Sequence, residues 1–457
     1  MRARMLWLAP LLALGSGLLA AQWLPPHAAV TVGVTLWCVL WWVSEPVPIT
    51  VTSMLPLAIF PLTGVLDGGE VAAAYGSPLI ILLLGGFILS RGMESTGTHR
   101  RLAVAMVNVC QRIGGHHSER ALVAGFMLAA ASLSMWISNT ATTLMLLPIA
   151  MAVIEKSRSA ALPMTLMLGI AYAANVGGMG TPIGTPPNLI MVEVFRQNTG
   201  ETIGFIDWMR WGVPVVVVFV PLLIWWLTRK LGKGEAIELP AAGAWTAAER
   251  RVLTVFALTA LLWITRSDPF GGWSSWLGIP TANDAAVALL GAILLFVIPN
   301  GRGSRLLDWE QAVQIPWGML LLFAGGICIA RAFNASGLST QLGEGFSLLT
   351  HLPVLLMMLA ICLGVSFLTE TTSNTATTSL LMPILAAAAL GASIPPELLL
   401  VPAALSASCA FMLPVATAPN AVVFSSGVID PVVMMRTGVV LNIMGAVLIA
   451  LLLWLLI

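Results

Sequence analysis

Charge is what this sequence has least of. Of 457 residues only 9% are Asp, Glu, Lys or Arg, against 58% apolar ones. A soluble domain carries roughly a quarter charged residues, so too few are present to cover a wetted surface. Cysteine is also sparse. Cys38, Cys110, Cys328, Cys362 and Cys409 are scattered, odd in number and form no CxxC, which speaks against a disulfide or metal framework and leaves core packing. The histidines make no HExxH, and neither a GxSxG nor a His/Asp pair lies inside an apolar run, so an intramembrane enzyme has no support. His116 and His117 fall in a basic loop and read as wet surface. No Lys/Arg run suggests nucleic acid, and the net charge of +1 points to no partner. The short alternating strands of an outer-membrane barrel are missing as well.

What the chain does have is apolar runs, from end to end, of the roughly 20 residues a helix needs to cross a bilayer. The class is an all-α polytopic membrane protein. The start, Arg2 and Arg4 before an apolar stretch to Ala21, has the outline of a cleaved signal peptide but is read as a first spanning helix.

Lys and Arg mark the cytoplasmic ends of short loops. They gather at Arg2/Arg4, Arg91 to Arg120, Lys156/Arg158, Arg229 to Arg251, Arg302/Arg305 and Arg436. Charge-poor loops alternate with them: Gln22–His27, Gly64–Gly76, Ser267–Thr281, the surroundings of His351, and Gly391–Glu397. Helices are expected near 6–23, 28–43, 47–64, 77–93, 209–228, 251–266, 282–299, 314–333 and 436–457. Stretch 121–155 begins and ends with cytoplasmic charge and reads as a re-entrant hairpin. Stretch 352–390 begins and ends in charge-poor loops and reads as a second hairpin from the other face. Segments 160–195 and 397–428 are crossings broken at Gly184-Thr185-Pro186-Pro187-Asn188 and Ala416-Thr417-Ala418-Pro419-Asn420, because proline removes a donor and clashes with the preceding turn. The sum is about eleven crossings plus two hairpins, with the N-terminus cytoplasmic and the C-terminus outside.

The chain also repeats itself. SNTATTLMLLPI at 138–149 matches SNTATTSLLMPI at 373–384 in nine of twelve positions, and IGTPPN at 183–188 parallels VATAPN at 415–420. The order hairpin, Ser-Asn-Thr, broken helix occurs twice, in opposite orientations by the charge pattern. That is an inverted-topology repeat, the plan of many secondary transporters, with a site where the halves meet. Any single Thr in a membrane helix is more often glue between helices. Two near-identical polar segments, each paired with a Pro-Asn break, are not explained that way.

These motifs hold Ser, Thr, Asn, Gly and Pro, with no Lys, Arg or His. A buried cation would grip an anion hard and be costly to leave unpaired. Amides, hydroxyls, backbone N–H groups and helix N-termini bind and release more easily. The same loops offer oxygens for Na+, since hard cations take oxygen ligands. Ser134 lies one helical turn before Ser138, and Thr369 and Thr372 stand similarly before Asn374. Glu370 is the one acid beside a Ser-Asn-Thr motif. A proton or cation relay and a structural acceptor for hairpin N–H groups both fit it, the second better. Glu45 and Asp430 read as boundary residues.

With WWVSEPVPITVT (41–52), LLGGFILSRGMESTGTHRR (83–101) and LLLFAGGICIARAFNASGL (320–338), the twin motifs resemble the divalent anion/sodium symporters over essentially the whole chain. The resemblance implies a homodimer working as an elevator, its scaffold domain formed by 1–115 and 229–345 and its transport domain by 116–228 and 346–457. It implies two Na+ sites, one from Ser134, Ser138, Asn139 and the backbone near Gly184, the other from Thr369, Thr372, Asn374 and the backbone near Ala416. Substrate carboxylates would meet Ser138, Asn139, Thr140, Ser373, Asn374, Thr375, Thr185 and Thr417. Pro186 and Ala418 stand at matching places, so the two halves are not identical. The expected activity is Na+-coupled symport of C4-dicarboxylates (succinate, fumarate, malate) across the inner membrane. Exchange of dicarboxylates or citrate without Na+, and carriage of sulfate, are the alternatives.

Overall fold

In a computed structural model, residues 2–115, 117–232, 243–267, 271–345 and 353–457 are described. His116, part of the Arg229–Arg251 cluster, part of the 267–281 loop, the 345/346 border and the loop at His351 lie outside the described residues. The chain begins with α1 (Arg2–Ala20), α2 (Pro26–Ser44), α3 (Ile49–Thr52), α4 (Leu55–Thr63), α5 (Gly68–Tyr75) and α6 (Pro78–Thr96). Next come α7 (Thr98–Gly114), α8 (Glu119–Ser134), α9 (Asn139–Lys156), α10 (Leu162–Gly177), α11 (Pro186–Thr199) and α12 (Phe205–Thr228). The middle holds α13 (Ala247–Ile264), α14 (Gly272–Trp276), α15 (Asp284–Val297), α16 (Trp309–Ala312), α17 (Trp317–Ala335) and α18 (Leu338–Gly345). The end is α19 (Val354–Thr369), α20 (Asn374–Gly391), α21 (Glu397–Ala407), α22 (Ala418–Phe424) and α23 (Pro431–Leu456). Among the described residues there is no strand, and seven helical stretches are long and apolar enough to span a bilayer.

Both stretches expected as hairpins fold as helix pairs, α8–α9 and α19–α20, although α20 alone is long and apolar enough to span a bilayer. Each turns at the Ser-Asn-Thr motif, because serine is a strong helix N-cap. Ser138 Oγ accepts from Ala141 N at 3.2 Å, and Ser373 Oγ accepts from Ala376 N at 3.1 Å. Both crossings expected to break do so. α10 stops at Gly177, a short 3-10 turn covers Gly178–Gly180, and α11 begins at Pro186; α21 stops at Ala407 and α22 begins at Ala418.

Several expectations need correcting. The prolines of the breaks are not outside the helices. Pro186 and Pro187 open α11, and Pro419 lies in the first turn of α22, where a missing N–H costs nothing. The remainder after the first break is also longer than expected and runs to Thr199. The single helix expected over 47–64 is two pieces, parted at Ser53–Met54. Gly64–Gly76 is not all loop. Asp67 and Glu70 form a reciprocal capping box, at 2.7 and 2.8 Å, that starts α5. Within 267–281, Gly272–Trp276 is helical. The span from Arg91 to Arg120 contains α7, whose buried face (Ala103, Val104, Val107, Gln111) lies along α8. Its four-residue rhythm of buried positions was readable, but basic side chains on the other face masked it.

α10 and α21 are the most enclosed helices: every residue of Leu166–Gly177 and of Leu399–Ala407 is buried. Around them, α8, α9, α12 and α22 pack on α10, and α11, α19, α20 and α23 pack on α21. The irregular segment after α10 is enclosed in protein, and the one after α21 is buried at both ends and opens to a cavity at Val415, the two settings that unwound backbone tolerates at membrane depth.

Candidate functional site

One cavity of about 660 Å³ brings the two motifs together. Its walls include Ser138, Asn139 and Thr140 from one hairpin and Ser373, Asn374 and Thr375 from the other. Gly184, Thr185 and Pro186 of the first break line it, and so do Ala416, Thr417 and Ala418 of the second. Residues more than 230 apart in sequence thus face one space, as the repeat predicted.

Ser138, Thr185, Ser373 and Thr417 are the N-caps of α9, α11, α20 and α22. Four helix starts therefore converge on the cavity. Each leaves backbone N–H groups without an intrahelical partner and carries partial positive charge. Such an arrangement accepts carboxylate oxygens without a cationic side chain. Arg91 does line the wall, but it is paired with Glu94 at 2.7 Å and bonded to the Gln311 carbonyl and the Gln314 side chain.

The first half also gathers oxygens. Ser134 Oγ donates to Asn139 Oδ1 at 2.5 Å. Two glycines let the backbone close in on this pair. A Cβ on Gly178 would stand 2.6 Å from Asn139 Oδ1, and one on Gly184 would stand 2.5 Å from the Gly178 carbonyl oxygen and 3.0 Å from that of Met135. Ser134, Asn139 and the backbone at Gly178 and Gly184 thus form one cluster of neutral oxygens suited to a hard cation. In the second half, Asn374 Oδ1 accepts from Thr375, the Thr372 hydroxyl meets Leu368 O and Thr377 Oγ1, and Thr369 Oγ1 donates to Ala407 O at 3.1 Å. Asn374 and Ala416 reach the cavity; Thr369 and Thr372 do not line it.

The breaks are held by buried asparagines. Asn188 Nδ2 donates to the carbonyls of Gly178 and Thr181 at 2.9 and 2.7 Å. Asn420 Nδ2 donates to those of Ala410 and Leu413 at 2.9 and 3.1 Å. Glu370 accepts from the N–H groups of Phe411, Met412 and Leu413 and from Asn442 Nδ2, all within 3.0 Å. That is the structural acceptor role. The first tip is fixed differently, by Trp136 stacked on Phe205, which stacks on Trp263.

A family model described as "Citrate transporter" (CitMHS) matches residues 39–398. A protein named sodium-dependent dicarboxylate transporter SdcS from Staphylococcus saprophyticus is 38% identical over 450 residues, 93% of this chain and 85% of that protein. Its namesake from a Staphylococcus aureus strain is 38% identical over 457 residues, 94% of this chain and 86% of the relative. The chain belongs to the divalent anion/sodium symporter family. Two solved transporters share the fold at 14% identity. Alcanivorax borkumensis YdaH matches with a TM-score of 0.58 over 94% of this chain and 99% of its own. Neisseria gonorrhoeae MtrF matches with a TM-score of 0.60 over 86% and 83%.

Several wall residues of this symporter-family cavity were not expected there: Thr50, Phe87, Arg91, Asn175, Gln314 and Met319. Thr50, Phe87 and Arg91 lie in segments that carry the family resemblance, but no local pattern shows that they turn toward a cavity. Asn175 did stand out, as a lone amide in the apolar run of α10, but such a side chain as readily joins helices and does not by itself mark a site.

Proposed function

We propose that this chain is a secondary carrier that couples Na+ movement to uptake of C4-dicarboxylates such as succinate, fumarate and malate across the inner membrane. The observation that carries the reading is the shared cavity: both Ser-Asn-Thr motifs and both break threonines line it, with four helix starts and no unpaired cationic side chain among its wall residues. Two carboxylates, one per half, suit two sets of neutral donors of the same residue types. The sodium-dependent dicarboxylate transporters of Staphylococcus, related over nearly the full chain, support the choice of ion and substrate.

On this reading Ser138, Asn139, Thr140 and Thr185 bind one carboxylate, beside Pro186. Ser373, Asn374, Thr375 and Thr417 bind the other, beside Ala418. One Na+ takes the Ser134, Ser138 and Asn139 oxygens and the backbone at Gly184; Ser134 Oγ and Asn139 Oδ1 already lie 2.5 Å apart. A second Na+ takes Thr369, Thr372, Asn374 and the backbone at Ala416, after the Thr372 hydroxyl turns from its present partners. Bound Na+ offsets the dianion's charge, so loading is cooperative. Segments 116–228 and 346–457 move as a transport domain against the scaffold of 1–115 and 229–345. The chain works as a homodimer, with its N-terminus cytoplasmic and its C-terminus outside.

Proteoliposomes empty of dicarboxylate test this. A Na+ gradient alone should drive accumulation of labelled succinate; uptake only against internal counter-substrate overturns symport in favour of exchange. A second reading, citrate as cargo, is favoured by the description of the family model. Strong competition of succinate uptake by citrate would support it.

A further inference from the structure

The two breaks are built alike except in one respect. In each, the asparagine closing the break donates to the carbonyls ten and seven residues before it. In the second, two more acceptors are also satisfied. Asn175 Nδ2 donates to Thr417 Oγ1 at 3.0 Å and to Asn420 Oδ1 at 3.3 Å. In the first, the matching atoms, Thr185 Oγ1 and Asn188 Oδ1, are buried and have no partner. The repeat explains the difference. Asn175 stands thirteen residues before Asn188, and the residue thirteen before Asn420 is Ala407, a methyl with nothing to donate. Thr417 Oγ1 also accepts from Asn420 N and caps α22, whereas the Thr185 side chain makes no cap bond.

We propose that Asn175 is a positioning residue which, from the first repeat, presets the second half of the substrate site. It is 1% exposed, sits at the cavity wall and reaches across between the repeats. Its amide fixes the Thr417 hydroxyl and the Asn420 side chain, and Asn420 in turn holds the carbonyls of Ala410 and Leu413. The second half is rigid before cargo arrives. The first half has no such tie, so Thr185 stays free to turn toward a ligand or a water. The site is thus asymmetric in preorganisation, and Asn175 acts through Thr417 rather than on the cargo. This rests on the cavity being the substrate site; the first measurement below does not.

Asn175→Asp keeps the shape and removes at least one of the two N–H donors, since a carboxylate has none and a buried carboxylic acid has a single O–H, so Thr417 Oγ1 or Asn420 Oδ1 loses its partner. Hydrogen exchange of the full-length protein in detergent, without substrate, is the direct test. Exchange in the 410–424 segment is expected to rise about tenfold, the scale of a buried acceptor left unpaired, with 178–195 unchanged. Equal exchange in the variant and the parent, or equal loosening of both segments, overturns the proposal. In proteoliposomes Asn175→Asp should raise the succinate KM about tenfold while Vmax changes less than about twofold. A fall in Vmax at unchanged KM overturns the positioning role. If Asn175→Asp does not fold, Asn175→Ser serves, a smaller donor expected to fall between the two. If the parent protein carries no succinate while the exchange difference is seen, the function above fails and the positioning role stands.

Discussion

The two halves of the site share nine of twelve residues in their Ser-Asn-Thr segments and three of six at their breaks, and they are held by different means. The first tip is packed on aromatic rings, and its break closes on glycines that let Asn139 Oδ1, the Gly178 carbonyl and Gly184 come within touching distance. The second has Ala410 and Ala416 at the places of Gly178 and Gly184, and its break is tied by Glu370 and by Asn175. One half is a tight cluster of oxygens made by close backbone approach. The other is a loop organised by a buried carboxylate. Identity between the repeats is highest in the Ser-Asn-Thr segments that line the cavity, whereas Gly184 and Pro186 line it opposite Ala416 and Ala418, and apart from the paired Asn188 and Asn420 the supports differ.

The largest expected effect tests what the halves share. Asn139→Ala and Asn374→Ala should each reduce Na+-driven succinate uptake about a hundredfold, since each removes charge-assisted hydrogen bonds worth roughly 1.5–3 kcal/mol apiece. Unimpaired uptake by a folded variant would remove the site assignment for that half. Gly184→Ala comes next, because its Cβ meets backbone at 2.5 Å. Half-saturation by Na+ is expected to rise about tenfold or more, the scale of a misplaced ligand. A variant with parental Na+ dependence would show that the first half tolerates the alanine that the second already has.

Glu370→Gln separates the supports. It leaves three N–H groups facing an amide instead of a carboxylate. The melting temperature should fall by several degrees, for a cost of about 3 kcal/mol. Trp136→Phe, which keeps an aromatic ring against Phe205, should shift it by less. A relay role would instead give a pH-dependent rate change with an unaltered melt. The smallest effect belongs to Ala416→Gly: a loss of about 0.5–1 kcal/mol from added chain freedom, seen as a slight drop in melting temperature, with uptake within about twofold.

How much of this was legible can be judged residue by residue. The hairpins, the breaks and the Ser-Asn-Thr motifs were, because cap, turn and proline chemistry acts within a few residues along the chain. All eight proposed cargo-binding residues, with Pro186 and Ala418 beside them, line this cavity. α5 and α7 were hidden by glycine and by basic residues that read as loop. Asn175 was visible only as an oddity, and the partners of Glu370 were invisible, because those contacts depend on how α10, α19 and the second break pack.

By itself the sequence determined that the chain lives in a membrane, that it repeats, and that its twin motifs are made of neutral oxygens and amides. Those are matters of composition and of local backbone preference. Only the tertiary structure decided which donors meet which acceptors: Asn175 with Thr417 across 242 residues, and Glu370 with Phe411 across 41. A buried polar group must find a partner, but the chain does not say locally which one. That choice is made when the two repeats close on each other, and it makes two like motifs into unlike halves of one site.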